Sequence, residues 1–203
     1  SFAGDGDKTD LFDIDVPDIK FSTKQGSDIT AKQRFNDTMT VSQAYNEFPI
    51  KVRQNLSDVT FEVGYDGSAC DIRNKTIRVG IGAGKEEIFH EVGHLIENYM
   101  MNPMDVRKYK ESLVEGLSMS DIIKETYYDS VGNPVDIFLL DGNRFESEYQ
   151  SRLYVLDLED ALNADGSINV DCLGETVSEA FRKYMLGEPI SDEIRKLIED
   201  SVL

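Results

Sequence analysis

Apolar residues along the chain change their period several times, and each period points to an element. Val41, Ala44, Tyr45 and Phe48 recur at helical spacing, so a helix is predicted over residues 38–56, interrupted at Pro49. Val59-Thr60-Phe61-Glu62-Val63 and Thr76-Ile77-Arg78-Val79-Gly80-Ile81 alternate and are β-branched, which predicts two strands. Gly67-Ser68 and Asn74-Lys75 supply turn chemistry between them, so the pair reads as antiparallel. Ile88, Val92, Leu95, Ile96 and Tyr99 then mark a strong helix over residues 85–101, with Pro103 beyond its end. Val106, Tyr109, Leu113 and Leu117 extend the helical period over residues 105–127, started by Asp105.

The pattern weakens over residues 128–172. Gly132-Asn133-Pro134 and Asp141-Gly142-Asn143 break the chain around the apolar run Ile137-Phe138-Leu139-Leu140, and Tyr149–Leu162 fits helix or strand. A helix follows over residues 173–186, stopped by Gly187 and Pro189, and Ser191 caps a last one with Asp192 and Glu193 in its first turn. Residues 1–28 differ: seven aspartates there are interrupted only by short apolar pairs such as Leu11-Phe12. They read as an acidic arm or linker laid on a domain formed by residues 29–203. Asp5–Asp10 and Asn163–Ile168 look like calcium loops, but the glycine and closing glutamate are misplaced, and both read as turns.

Composition narrows the function. The 203 residues carry 21 Lys and Arg against 39 Asp and Glu, a net charge of −18 that repels nucleic acid and anionic membrane. Hydrophobic residues make up 40% of the chain, enough for a core, and no apolar run is long enough to span a bilayer. Cys70 and Cys172 form no disulfide framework and read as two ordinary thiols of a reducing compartment. The first residue is Ser1, without initiator Met or signal peptide, so a piece of a longer polypeptide and prior processing for secretion both stay open. The element order predicts an α+β fold, helices packed on a small, twisted, mostly antiparallel sheet.

Both histidines of the chain lie in His90-Glu91-Val92-Gly93-His94, inside the best predicted helix. Residues four apart stack on one face of a helix, so both imidazoles reach a single ion, while the offset Glu91 lies near the water such an ion would carry. A catalytic zinc takes three protein ligands, and with no third histidine the last is read as a carboxylate from elsewhere. Glu175 and Glu179, one turn apart on a later helix, are the best candidates. One would bind the metal while the other accepts a hydrogen bond from a ligating imidazole.

His90–His94 followed by Glu175-x-x-x-Glu179-Ala180-Phe181-Arg182 resembles the gluzincin pattern, and its ending is similar to that of the lethal-factor-like metallopeptidases. The resemblance implies a zincin-like fold, Zn2+ held by His90, His94 and Glu175, and Glu179 supporting a histidine; an exchange of the two glutamate roles stays open. The hairpin before the motif, Phe145–Tyr154 and the Glu175 segment together also resemble the zincin-like carboxy-terminal domains of phage minor head proteins, over residues 45–190.

The expectation is a zinc metallopeptidase acting on a peptide or protein substrate, cytoplasmic or virion-associated. Glu91 would serve as general base, and Tyr149 or Tyr154 is a candidate donor to the oxyanion. The strand Thr76–Ile81, taken as the sheet edge, would pair with an extended substrate. The alternative is a non-catalytic zincin-fold module of a prophage or virion assembly, and an acidic interaction domain without metal is the third reading. Cys172, three residues before Glu175, reads as a buried thiol.

Overall fold

A computed structural model describes residues 18–141 and 144–203. Most of the acidic arm, with Asp5–Asp10, therefore lies outside the described residues. The arm's last part does not: Lys20–Thr23 forms strand β1 and adds an edge to the main sheet. Helix α1, Ala31–Glu47, starts well before the predicted residue 38. Its start is set by a cap, Thr30 accepting from Gln33 N–H at 3.1 Å, on a stretch too polar to show the helical period. Pro49 separates it from α2, Ile50–Asn55.

Strands β2 (Thr60–Tyr65), β3 (Ala69–Asp71) and β4 (Thr76–Gly80) complete a four-stranded sheet in the order β1-β2-β4-β3. The expected antiparallel pairing of the two long strands is wrong, for β2 and β4 run parallel, as do β1 and β2. The reason is the short strand β3. The chain leaves β2, crosses over the end of β4 where Gly67 passes Gly80, descends as β3, and turns back up as β4 between the two. A Cβ at Gly80 would stand 3.1 Å from the Gly67 backbone, so a side chain there would crowd the crossing. The same topology corrects the expected edge: β4 is internal, and β3 is the open edge on that side among the described residues.

The parallel register sets Phe61 beside Ile77 and Val63 beside Val79, all buried. Helices α1 and α3 (Lys85–Tyr99) pack on the sheet. Helix α4, Pro103–Val114, is capped by Asn102 and ends far short of residue 127. Gly116, at a φ of 78°, takes the left-handed conformation that ends helices, and Ile122–Tyr128 forms strand β5. Its β-branched and aromatic residues suit a strand better than the helical period that seemed to run through them.

Strand β5 pairs antiparallel with β6 (Pro134–Leu140), and β6 with the short β7 (Arg152–Leu153), as a second sheet. Residues 163–168 form a turn closed by a bridge between Leu162 and Ile168. Helix α5, Thr176–Met185, packs against α3, and α6, Asp192–Val202, against α4 and α5. Ser191 occupies the cap position of α6, but its side chain makes no capping bond, and its N–H donates to Glu146 Oε1 at 2.9 Å. The architecture is α+β, with six helices and two small sheets among the described residues, none of the helices long and apolar enough to cross a membrane. Both cysteines are unpaired.

Three rings tie the helices together. Phe48, after α1, meets Phe89 of α3 edge-on at 5.6 Å and stacks on Phe181 of α5 at 6.1 Å, all fully buried. Phe181→Ala should therefore lower unfolding free energy by about 3–5 kcal/mol, measured by urea denaturation, because it opens a cavity in the core between α5 and the ring of Phe48.

Candidate metal centre

The site is assembled between α3 and α5. The loop before α3 is held by Asp37, a buried side chain of α1 that accepts from Gly82 N–H at 3.2 Å and from Gln33 Nε2 at 2.9 Å. Glu86 and Glu87 in the first turn of α3 suit the positive end of its dipole. Ile88, Phe89, Val92 and Ile96 enter the core, which fixes the helix's rotation and turns His90 and His94 towards α5. Gly93 lies between them for a packing reason: a Cβ there would stand 2.7 Å from the Ser178 Cα. The missing side chain lets α5 approach until its carboxylates meet the imidazoles.

Both histidines and both later glutamates come together. Glu175 Oε2 stands 2.7 Å from His90 Nε2 and 3.2 Å from His94 Nε2. Glu179 lies on the other side of the ring, its Oε1 2.7 Å from His90 Nδ1. The two glutamates thus hold different positions, Glu175 facing both Nε2 atoms and Glu179 bracing His90 from behind. Glu175 belongs to the residue capping α5 and Glu179 to its first turn, so one helix start delivers both. Glu91 Oε2 is 4.0 Å from His94 Nε2, further out than Glu175.

Supporting contacts lock these side chains. Ser178 Oγ donates to Glu175 Oε2 at 3.2 Å, Ser147 Oγ to Glu179 Oε2 at 2.8 Å, and Arg182 Nε to Glu179 Oε1 at 3.2 Å. Tyr154 donates its phenolic proton to Glu175 Oε1 at 2.6 Å, which makes it a partner of the carboxylate. The Tyr149 hydroxyl is 3.2 Å from that of Tyr154, and its ring centroid 5.6 Å from that of His90. Of the residues given no role from the sequence, Arg182 was within reach, being three positions after Glu179 on one helix. Ser147 gave no sign of its role, since it comes from an irregular segment far along the chain from both helices.

Charge divides the three buried carboxylates. Burial works against ionised Glu175 and Glu179, but hydrogen bonds outweigh it. The two imidazoles and Tyr154 hold Glu175 well below the usual carboxylate range, and His90, Arg182 and Ser147 bring Glu179 to about 2. Burial pushes Glu91 up, and the imidazoles only partly offset it. For His90 burial favours the neutral ring, yet the flanking Glu175 and Glu179 raise its pKa to about 9. Burial, with the charge of Glu91, Asp71 and Glu175, pushes the Cys70 thiol on β3 up to about 12, whereas Cys172 Sγ faces the Asp160 carbonyl at 3.6 Å.

His90, Glu91 and His94 present ligand atoms within 4.8 Å of one another, a group able to hold a metal ion. Donor atoms around a tetrahedral ion with ordinary bond lengths stand about 3.4 Å apart. The Glu175 contacts of 2.7 and 3.2 Å lie below that spacing, so the side chains that now touch would open by several tenths of an ångström to take a divalent cation between two imidazole nitrogens and one carboxylate oxygen. With Nδ1 of His90 facing Glu179, an ion would take Nε2 and displace the proton that Glu175 holds there.

Set against family models, curated proteins and solved structures, the chain matches none of them.

Two substitutions probe this arrangement. Glu179→Gln should weaken metal affinity about 10–100-fold in a competition titration with a fluorescent chelator, with stoichiometry unchanged. Gly93→Ala should cost about 1–3 kcal/mol in chemical denaturation and also weaken the metal, because the added methyl drives α5 away from the imidazoles.

Proposed function

We propose that this chain is a zinc-dependent metallopeptidase of zincin-like fold, hydrolysing peptide bonds. The observation that carries the reading is the convergence of His90 Nε2, His94 Nε2 and Glu175 Oε2 beside a separate carboxylate, Glu91, whose pKa burial raises. Two imidazoles and one carboxylate are a donor set suited to zinc in a catalytic rather than a closed structural site. Zinc held there would polarise a scissile carbonyl and lower the pKa of water towards ~7.

The chain's own groups do the rest. Glu91, more basic than its neighbours, takes the proton of the attacking water and passes it to the departing amine. Glu179 keeps His90 in one tautomer and orientation, and Arg182 and Ser147 keep Glu179 in place. Tyr154 holds Glu175, while Tyr149, which lines the cleft beside His90, would donate to a developing oxyanion by exchanging its bond to the Tyr154 hydroxyl. Strand β3 packs against α3 and leaves its outer edge open among the described residues, so an extended peptide can add there as a further strand. The cleft beside His90 and Glu91, about 320 Å³, is lined by Ser68 from the loop before β3, Glu87 of α3, and Tyr149.

Glu91→Gln is the decisive variant. It should bind one equivalent of zinc by elemental analysis yet lose at least about 10²–10⁴-fold in the cleavage rate of a peptide library. Unchanged cleavage would refute the assignment of the base. Stoichiometric zinc in a wild-type protein that cleaves nothing would instead support a zinc-stabilised structural module.

A further inference from the structure

Strand β1 ends the main sheet on the side away from β3, and its outer edge meets no other strand among the described residues. Lys24 N–H donates to the Val63 carbonyl at 2.8 Å, so by alternation the N–H groups of Phe21 and Thr23 point away from β2, towards that edge. Beside it lies a groove of about 460 Å³, lined by Phe21, Thr23, Ala31, Arg34, Phe35 and Thr38. Phe21 touches Phe61 at 6.3 Å between ring centroids yet stays 39% exposed, and Phe35 is 64% exposed. An open edge next to exposed aromatic rings is a template for a further strand.

The charge here is opposite to that of the chain. Residues 19–36 carry Lys20, Lys24, Lys32 and Arg34 against Asp28 alone, whereas the whole chain holds 21 basic and 39 acidic residues. None of these four cations forms an ion pair with another described residue. Lys24 lies over the Tyr65 ring, and Glu62, next to Ser22 on the sheet face turned from the helices, already accepts from the Ser22 and Tyr65 hydroxyls.

The segment that matches this edge is the chain's own. Leu11-Phe12-Asp13-Ile14-Asp15-Val16, which lies outside the described residues, alternates apolar and acidic positions with the period of a strand. Along β1, one of its faces would offer Phe12, Ile14 and Val16 to the groove, and the other would set Asp13 and Asp15 beside Lys20 and Lys24. A slip of one residue would put the aspartates on the aromatic rings, so the pattern selects the register. Only Pro17, Asp18 and Ile19 separate the segment from β1. So short a tether presents it at an effective concentration of about millimolar, and contacts too weak to hold a free peptide suffice.

We propose that residues 11–16 add to β1 of the same molecule as an antiparallel edge strand, with Phe12 and Ile14 seated in the groove against Phe21 and Phe35. The acidic arm is then part of the domain, and it covers an edge that would otherwise pair with other chains. The inference is independent of the chemistry at the metal centre.

The test reads amide hydrogen exchange in the full chain by NMR, at Phe21 and Thr23. Both should exchange about 10-fold more slowly in the wild type than in the Phe12→Asp, Ile14→Asp double variant, while the amides of α5 keep their protection. Asp13→Lys with Asp15→Lys should also weaken the protection, and adding Lys20→Glu and Lys24→Glu should restore it, which a purely apolar contact would not do. Wild-type exchange at the rate of unbonded amides, or protection that survives the double variant, would overturn the proposal. Protection that fades on dilution, with a dimer in sedimentation, would overturn it in favour of a second copy's arm. Protection independent of concentration in a monomer would uphold it.

Discussion

The close approach of α3 and α5 is the constraint on which the centre depends. At Gly93 the two backbones come so near that even a methyl group would collide with Ser178. Only at this separation do Glu175 and Glu179 lie within hydrogen-bond reach of the same imidazole, one at each nitrogen. The stacked Phe48 and Phe181, with Phe89 against them, hold the helices together from the core side. Packing and chemistry are therefore one design at this point, since the contact that excludes water also sets the donor positions.

That geometry gives three carboxylates in one small volume three different characters. Glu175 and Glu179 are held ionised by hydrogen bonds that outweigh burial, whereas Glu91 receives less compensation and is the more basic. Separate environments for neighbouring acids allow one group to hold a ligand while another exchanges a proton. Arg182 and Ser147 matter for the same reason: they satisfy Oε2 of Glu179, the oxygen that His90 does not use. Each group is modest alone, and the network removes the rotational freedom that would blur the site.

The surroundings of the cleft come from two unrelated parts of the chain. On one side the small crossover of the main sheet leaves β3, among the described residues, as an open edge next to α3. On the other, residues 122–153 build a second sheet whose apolar face borders Tyr149. The segment between His94 and Glu175 thus lines one side of the cleft.

The local elements were largely legible in the residues. Helices α3, α5 and α6 follow apolar periods, and the one-turn spacing of His90 and His94 carries its meaning within a single helix. The α+β class and the Glu175–Glu179 pair could be read on the same basis. The strand direction, the identity of the sheet edge and the fate of residues 115–128 could not. Alternation reveals which face of a strand is buried, but it is silent about the neighbour's direction, and the three residues of β3 were too few to show a period. Nor could sequence separate Glu175 from Glu179, or point to Ser147 and to the bond from Tyr154. Those roles are properties of distance between segments far apart in the chain. The sequence alone determined a helix able to present two imidazoles together; the tertiary structure decided which carboxylate faces them, because that depends on how near two helices can pack.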